Sequence, residues 1–477
     1  MPPPPPSMTY ATLSSPLPAP APYILSITPS PTTPHLLLRH PSSSITIVDN
    51  QTLQPVEQLQ GGHTGLISGI ATDQDAVWSS GKDARVVRWD ERSRRAATII
   101  KASVRKPIPV LALAVSERDH LVIGGTELVS SESHILFWDT RNPSVPAYTH
   151  SSTHSDDITH LSLLPTTNTF LSTTSSSGGP LPDRLLLSTS TDGLVALSNM
   201  KESDEDEAVL ATDNWGQSIA DAGSYLHKGK MKIWARSDMD AVAIWDVGKG
   251  DEDELELQNH IEHASSLFKF KDFKLPQTGP NTTQTAQEER QSKSQTLKSD
   301  YLIDVTPSLG VSKSGAPIVS VGTNEGDMII QHHSSSFPST YSPSSYFLTN
   351  PIPNRGHKDV IRALYHDLSN EAIYTGSEDG VLSGWSLATL GERLVVGDPD
   401  LDDDDGRDPT DENMDDDDED DESEIETEES DDEDEDMEDE GPRYGPILGA
   451  GASAVGKGRT GADARKEKRK EKRFDPY

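Results

Sequence analysis

The chain has 477 residues and a formal net charge of −38, with 33% apolar and 5% aromatic residues, too little apolar material to pack the whole length into a core. It contains no cysteine, which excludes disulfides, thiolate metal sites and cysteine nucleophiles. Nowhere do eighteen apolar residues run together, and the N-terminal MPPPPPSMTYATLSSPLPAPAP lacks the basic and apolar regions of a signal peptide, so neither a membrane span nor secretion is expected.

In chain order, residues 1–22 read as a Pro-rich leader, extended like polyproline at Pro2 to Pro6. Short apolar and β-branched runs separated by turn residues follow, as an antiparallel meander requires. A first unit spans 23–59, with YILSIT, HLLLRH and SITIVD, and Val48-Asp49 stands where later units carry Trp-Asp. The second covers 63–100, and the third covers 109–148 and ends in Trp138-Asp139. The fourth starts at His154, places Asp192 in a turn, and has Ser198 where a Trp is expected. A fifth unit is read over 207–247, closing on Trp245-Asp246, a ragged sixth over 260–331, and a seventh over 356–390.

Units two and seven share a frame. A Gly-His opens each, an Asp follows about twenty residues on (His63 to Asp83, His357 to Asp379), and a Trp comes six later (Trp89, Trp385). This is the signature of the WD-repeat blade, a four-stranded sheet that is stable only when stacked on its neighbours. The expected fold is therefore all-β, a seven-bladed WD-repeat β-propeller over 23–397, followed by a disordered acidic region, 398–440, and a Gly/Ala linker with a basic tail, 441–477. Blades of the usual length leave excess residues, which composition assigns to Ser/Thr/Pro-rich loop insertions near 171–183, 277–300 and 334–353. An open last blade would leave an unpaired edge, and MTYATL, residues 8–13, is the candidate closing strand.

Two structural tetrads are expected: His63, Ser79, Asp83 and Trp89 in blade two, and His357, Thr375, Asp379 and Trp385 in blade seven. A Ser-His-Asp set invites a catalytic-triad reading. Here, however, the hydroxyl should accept from the indole N–H and lie buried between strands, without substrate access or an oxyanion hole. Gly451 to Gly458, GASAVGKG, resembles a phosphate-binding loop but ends in Gly where Ser or Thr must hold magnesium. His332-His333 lacks zinc-site spacing. No enzyme activity, cofactor or metal is expected.

Three stretches, GGTELVSSESHILFWDTR at 124–141, HSDDIT with STDGLVALSN in the fourth unit, and DEDEAVLATDN at 204–214, resemble the WD repeat-containing protein 89 family in order and spacing. The last blade's GHKDVIRALYHD and TGSEDGVLSGW fit as well. The resemblance implies a seven-bladed, non-enzymatic scaffold. The long insertions, the missing blade-four Trp and the charged C-terminal segments depart from it.

Residues 398–440 hold thirty acids and one base, a net of −29, while 441–477 hold ten bases and four acids, a net of +6; residues 1–397 carry the remaining −15. Such an acidic run cannot fold against its own repulsion, suits basic partners such as histones or ribosomal proteins, and disfavours bare nucleic acid. Ser430, followed by Asp431, Asp432 and Glu433, would suit an acid-directed kinase. The cluster Arg465, Lys466, Lys468, Arg469, Lys470, Lys472 and Arg473 reads as a nuclear import signal, so the expected location is the nucleus, including the nucleolus, or the cytoplasm, with the chain a monomer inside complexes. The alternative function is substrate receptor of a cullin-RING ubiquitin ligase. Blades two and three end in W-D-x-R, and Arg92 and Arg141 are candidate adaptor-binding residues, a guanidinium being able to fork onto acceptor oxygens at a blade's rim.

Overall fold

The computed structural model describes residues 7–18, 22–166, 183–249, 255–263, 299–312, 315–334, 340–348 and 355–387. Their regular structure is almost wholly β, with one four-residue helix, Glu205–Ala208. The strands form seven sheets. Consecutive antiparallel strands build blade one over 26–59, blade two over 67–101, blade three over 110–150, blade four over 158–214, blade five over 219–263 and blade six over 301–348. Blade seven takes three strands from 361–386 and its fourth from the N-terminal segment. First strands touch the neighbouring blade all round, including blade seven against blade one and blade one against blade two. The protein is a closed seven-bladed propeller.

Buried apolar residues explain why the blades stack. They form seven clusters, and each bridges one blade junction. Strand side chains alternate between faces, so neighbours in sequence serve opposite junctions. In HLLLR, Leu36 and Leu38 pack toward blade seven and Leu37 toward blade two. Likewise Leu185 and Leu187 face blade five while Leu186 faces blade three. A strand buried on both faces reads as an unbroken apolar run, and a one-residue slip would exchange the two junctions.

The ring closes through residues far apart in the chain. Leu13–Pro16 pairs antiparallel with Val381–Ser386 of blade seven. Ser7–Tyr10 lies parallel along Thr340–Leu348, the outer strand of blade six. The expected closing stretch, 8–13, therefore overlaps the observed one only at Leu13, its first three residues belonging to the blade-six edge.

Three expected boundaries shift. Val209–Asn214 is the outer strand of blade four, not the start of blade five, and Leu255–His263 is the outer strand of blade five, not the start of blade six. With no Trp in blade four, the mark that ends a third strand is missing, and the boundary slid to the next apolar run. Within the loop expected at 334–353, residues 340–348 form a strand. Pro343 made that segment read as a loop; it sits beside a register irregularity opposite Gln331, a place where a sheet tolerates a residue without an N–H. The insertion at 277–300 falls outside the described residues except for its last two, that at 171–183 except for Asp183, and 391–477 lies wholly outside them.

Candidate functional site

In a four-strand meander, the turn between second and third strands lies at the same end as the segment entering the first strand. His63 and Asp83 occupy these two places in blade two. Trp89 Nε1 donates to Ser79 Oγ at 2.7 Å, His63 Nε2 lies 2.8 Å from the same oxygen, and His63 Nδ1 is 2.9 Å from Asp83 Oδ1. The only consistent polarity runs from indole to hydroxyl, hydroxyl to Nε2, and Nδ1–H to carboxylate. Burial pushes the His63 imidazole below its ordinary value, opposed by the Asp83 bond. Burial alone would raise Asp83, but the Thr64 N–H and His63 hold it below the usual carboxylate range. Ser79 is fully buried, so this set has no route to substrate.

The chain of bonds decays around the ring. In blade seven, Trp385 Nε1 and His357 Nε2 each lie 2.7 Å from Thr375 Oγ1, while His357 Nδ1 stands 3.8 Å from Asp379. Blade four keeps His154 Nε2 at 2.8 Å from Ser188 Oγ and Asp192 at 3.7 Å, although Ser198 has replaced the Trp. The Ser198 hydroxyl is buried without a partner among the described residues. In blade three, Gly124 stands where blade two has Ser79, and the buried Trp138 Nε1 has no acceptor among the described residues. Blade five has Ala235 at that place, and Trp245 Nε1 donates instead to Asp213 of blade four at 2.6 Å.

The channel holds a second constellation, which motif spacing did not indicate. A cavity of about 470 Å³ is lined by the first strands of all seven blades. In six blades the first strand carries a register irregularity near its start. The residue just after it is Gly69, Ala112 or Ala363 in blades two, three and seven, but His160, Asp221 or Asp304 in blades four, five and six. His160 Nδ1 lies 2.8 Å from Asp221 Oδ1, and Arg236 Nη2 is 3.6 Å from Asp221 Oδ2. Burial alone would raise Asp221, yet His160 and Arg236 bring it down to about 2. Asp304 has weaker compensation, and burial with the neighbouring Asp221 charge pushes it up to about 7 against the pull of Arg236. Desolvation also lowers Arg39, with Asp221 countering. The position is defined by the bulge, which only strand pairing reveals.

The W-D-x-R arginines lie at the opposite end, in the third-to-fourth-strand turns of adjacent blades. Asp90 Oδ1 accepts the Arg92 N–H at 2.9 Å, and the Arg92 side chain is exposed. Arg141 forks onto Asp139, Nε to Oδ1 at 2.9 Å and Nη2 to Oδ2 at 2.6 Å, which holds Asp139 down at about 2. Among the described residues no His/Cys/Asp/Glu group could hold a metal ion, and no helix is long and apolar enough to cross a membrane. Residues 451–458, Ser430 and the basic cluster 465–473 lie outside the described residues.

No family model matches the chain. It is 24% identical over 362 residues to an uncharacterized WD repeat-containing protein of Schizosaccharomyces pombe, an alignment covering 74% of this chain and 92% of that one. Blade geometry, the Trp-hydroxyl-His-Asp chain and this likeness agree. The chain is a seven-bladed WD-repeat propeller. WD-repeat propellers generally serve as non-enzymatic platforms for protein interactions.

Proposed function

We propose that this WD-repeat propeller is a non-enzymatic interaction scaffold acting in the nucleus, binding basic proteins such as histones or ribosomal proteins through its acidic run while the ring holds other components. The observation that carries this reading is the run itself, thirty acids against one base over 398–440, a charge density that attracts cationic surfaces and repels nucleic acid. The test is calorimetric titration of full-length chain and of 1–397 with a core histone dimer at physiological salt. Binding should be salt-sensitive and at least tenfold weaker without 398–477; equal binding by both forms would remove the acidic run from the function. Nuclear entry rests on Arg465 to Arg473, and a fluorescent reporter fused to 441–477 should accumulate in nuclei. We place the chain near the WD repeat-containing protein 89 family on the strength of the stretches in blades three, four and seven.

One observation favours the ligase-receptor reading: Arg92 and Arg141 are exposed at matching positions of adjacent blades. Freeing Arg141 from half-buried Asp139 at the surface should cost little, since surface ion pairs are worth about 0–1 kcal/mol. A cullin-RING propeller adaptor should be recovered with the wild type and lost with the Arg92→Ala/Arg141→Ala double variant; equal recovery ends this reading.

A further inference from the structure

The tetrad end of blades two and three carries a surface whose charge runs against that of the chain. Lys82, Lys101, Arg105 and Lys106 are all exposed there. None forms an ion pair among the described residues, although residues 1–397 carry a net −15. Backbone hydrogen bonds make the surface continuous: the Lys82 N–H donates to Leu66 O at 2.8 Å, Ala102 to Ala84 O at 2.9 Å, and Glu127 to Pro109 O at 3.0 Å. The segment 101–109 thus lies between the second-to-third-strand turns of the two blades. Lys101 also sits directly opposite Arg85 across its strand pair, a like-charge juxtaposition that costs stability. Asp83, next to Lys82 in the same turn, is already taken by His63, the Thr64 N–H and Arg85, and Glu127 and Glu132 stand in the blade-three turn that borders the patch.

Beside these cations stand two exposed aliphatic side chains, Leu66 at 47% and Val104 at 44% exposure, while exposed Leu128 lies on the blade-four side, its N–H donating to Asp157. Exposed apolar side chains on the same rim as unpaired cations have the composition of a docking surface. We propose that this blade-two/blade-three rim binds an acidic segment of a partner protein that also carries aliphatic side chains, its carboxylates reaching Lys82, Lys101, Arg105 and Lys106 and its apolar residues covering Leu66 and Val104. Charge complementarity sets the sign of the partner, opposite to that of the basic proteins assigned to the acidic run. A single-stranded nucleic acid is a poorer fit, because the patch offers no aromatic side chain on which bases could stack.

The probe is a fluorescent twelve-residue peptide alternating glutamate with leucine, titrated into the full-length chain and followed by anisotropy. Expected is a Kd of order 10 µM at 50 mM salt, weakening several-fold by 300 mM as screening shortens the reach of the charges. The exposed triple variant Lys101→Glu/Arg105→Glu/Lys106→Glu should keep the wild-type melting curve and bind at least tenfold more weakly, and Val104→Ser should weaken binding about threefold. Wild-type affinity in the triple variant would overturn the proposal, as would equal binding of a peptide with serine in place of leucine. Tighter binding of a labelled oligothymidylate than of the peptide would assign the rim to nucleic acid. A salt-sensitive dimer in sedimentation, abolished by the triple variant, would assign it to a second copy of the chain.

Discussion

Blades two and three carry equivalent tryptophans that end differently. Trp89 donates into a complete chain of hydroxyl, imidazole and carboxylate, whereas Trp138, equally buried, has no acceptor among the described residues. Both rings nonetheless fill the junction toward the preceding blade. The difference teaches that at these two junctions the indole's bulk fills the interface whether or not its N–H is satisfied, and that the tetrad's polar bonds can be lost blade by blade if the apolar junction stays filled.

Four experiments sharpen or break that comparison. Trp89→Ala should have the largest effect, about 3–5 kcal/mol from a lost buried aromatic and its cavity, read from denaturant midpoints; Trp138→Ala should cost nearly the same. A far smaller loss at Trp138 would mean that the polar chain, not the packing, dominates. Gly124→Ser would supply the acceptor that Trp138 lacks, yet it should cost about 1–3 kcal/mol by overpacking. A Cβ there would stand 2.9 Å from Val110 and 3.0 Å from the Trp138 ring, and a stabilised variant would show that the missing bond outweighs the crowding.

Ser79→Ala leaves both the Trp89 N–H and the His63 Nε2 unpaired, at about 1–3 kcal/mol. Ser188→Ala should cost less, since only His154 loses a partner, and Ser198→Ala, which removes a hydroxyl already orphaned, should be neutral or slightly stabilising in a thermal melt. The last test concerns the channel. Asp304, held at about 7 in the folded chain, binds its proton more tightly folded than unfolded. Its contribution to stability is therefore complete below the unfolded value near 4 and lost as pH rises to about 7. Asp304→Asn should flatten that slope and gain relative to wild type between pH 5 and 8. Asp221 and Asp192, both near 2 when folded, act in the opposite sense, their contributions fading only as pH falls from about 4 to 2.

Legibility followed the strength of local signals. Blades one to three were readable because their runs are unbroken and two of them end in Trp-Asp. The boundaries of blades four to six were not, because Ser198 removed one marker and the Ser- and Pro-rich 340–348 lacks the usual strand composition. The blade-four remnant of His154, Ser188 and Asp192 was hard to see with thirty-four residues separating the imidazole from the hydroxyl. The channel residues carry no spacing motif at all, since each contributes one side chain from a different blade.

By itself the sequence determined the blade, because alternation, turn residues and the His-Asp-Trp frame are properties of one local sheet. It also determined the charge of each segment, which needs no fold to be counted. Only the tertiary structure decided which strand closes the ring, which side of the channel is polar, and that Leu66, Lys82 and 101–106 share one rim. The physical reason is that blades meet through side chains presented by neighbouring repeats. Such a contact depends on register and ring closure, which no single stretch of chain encodes.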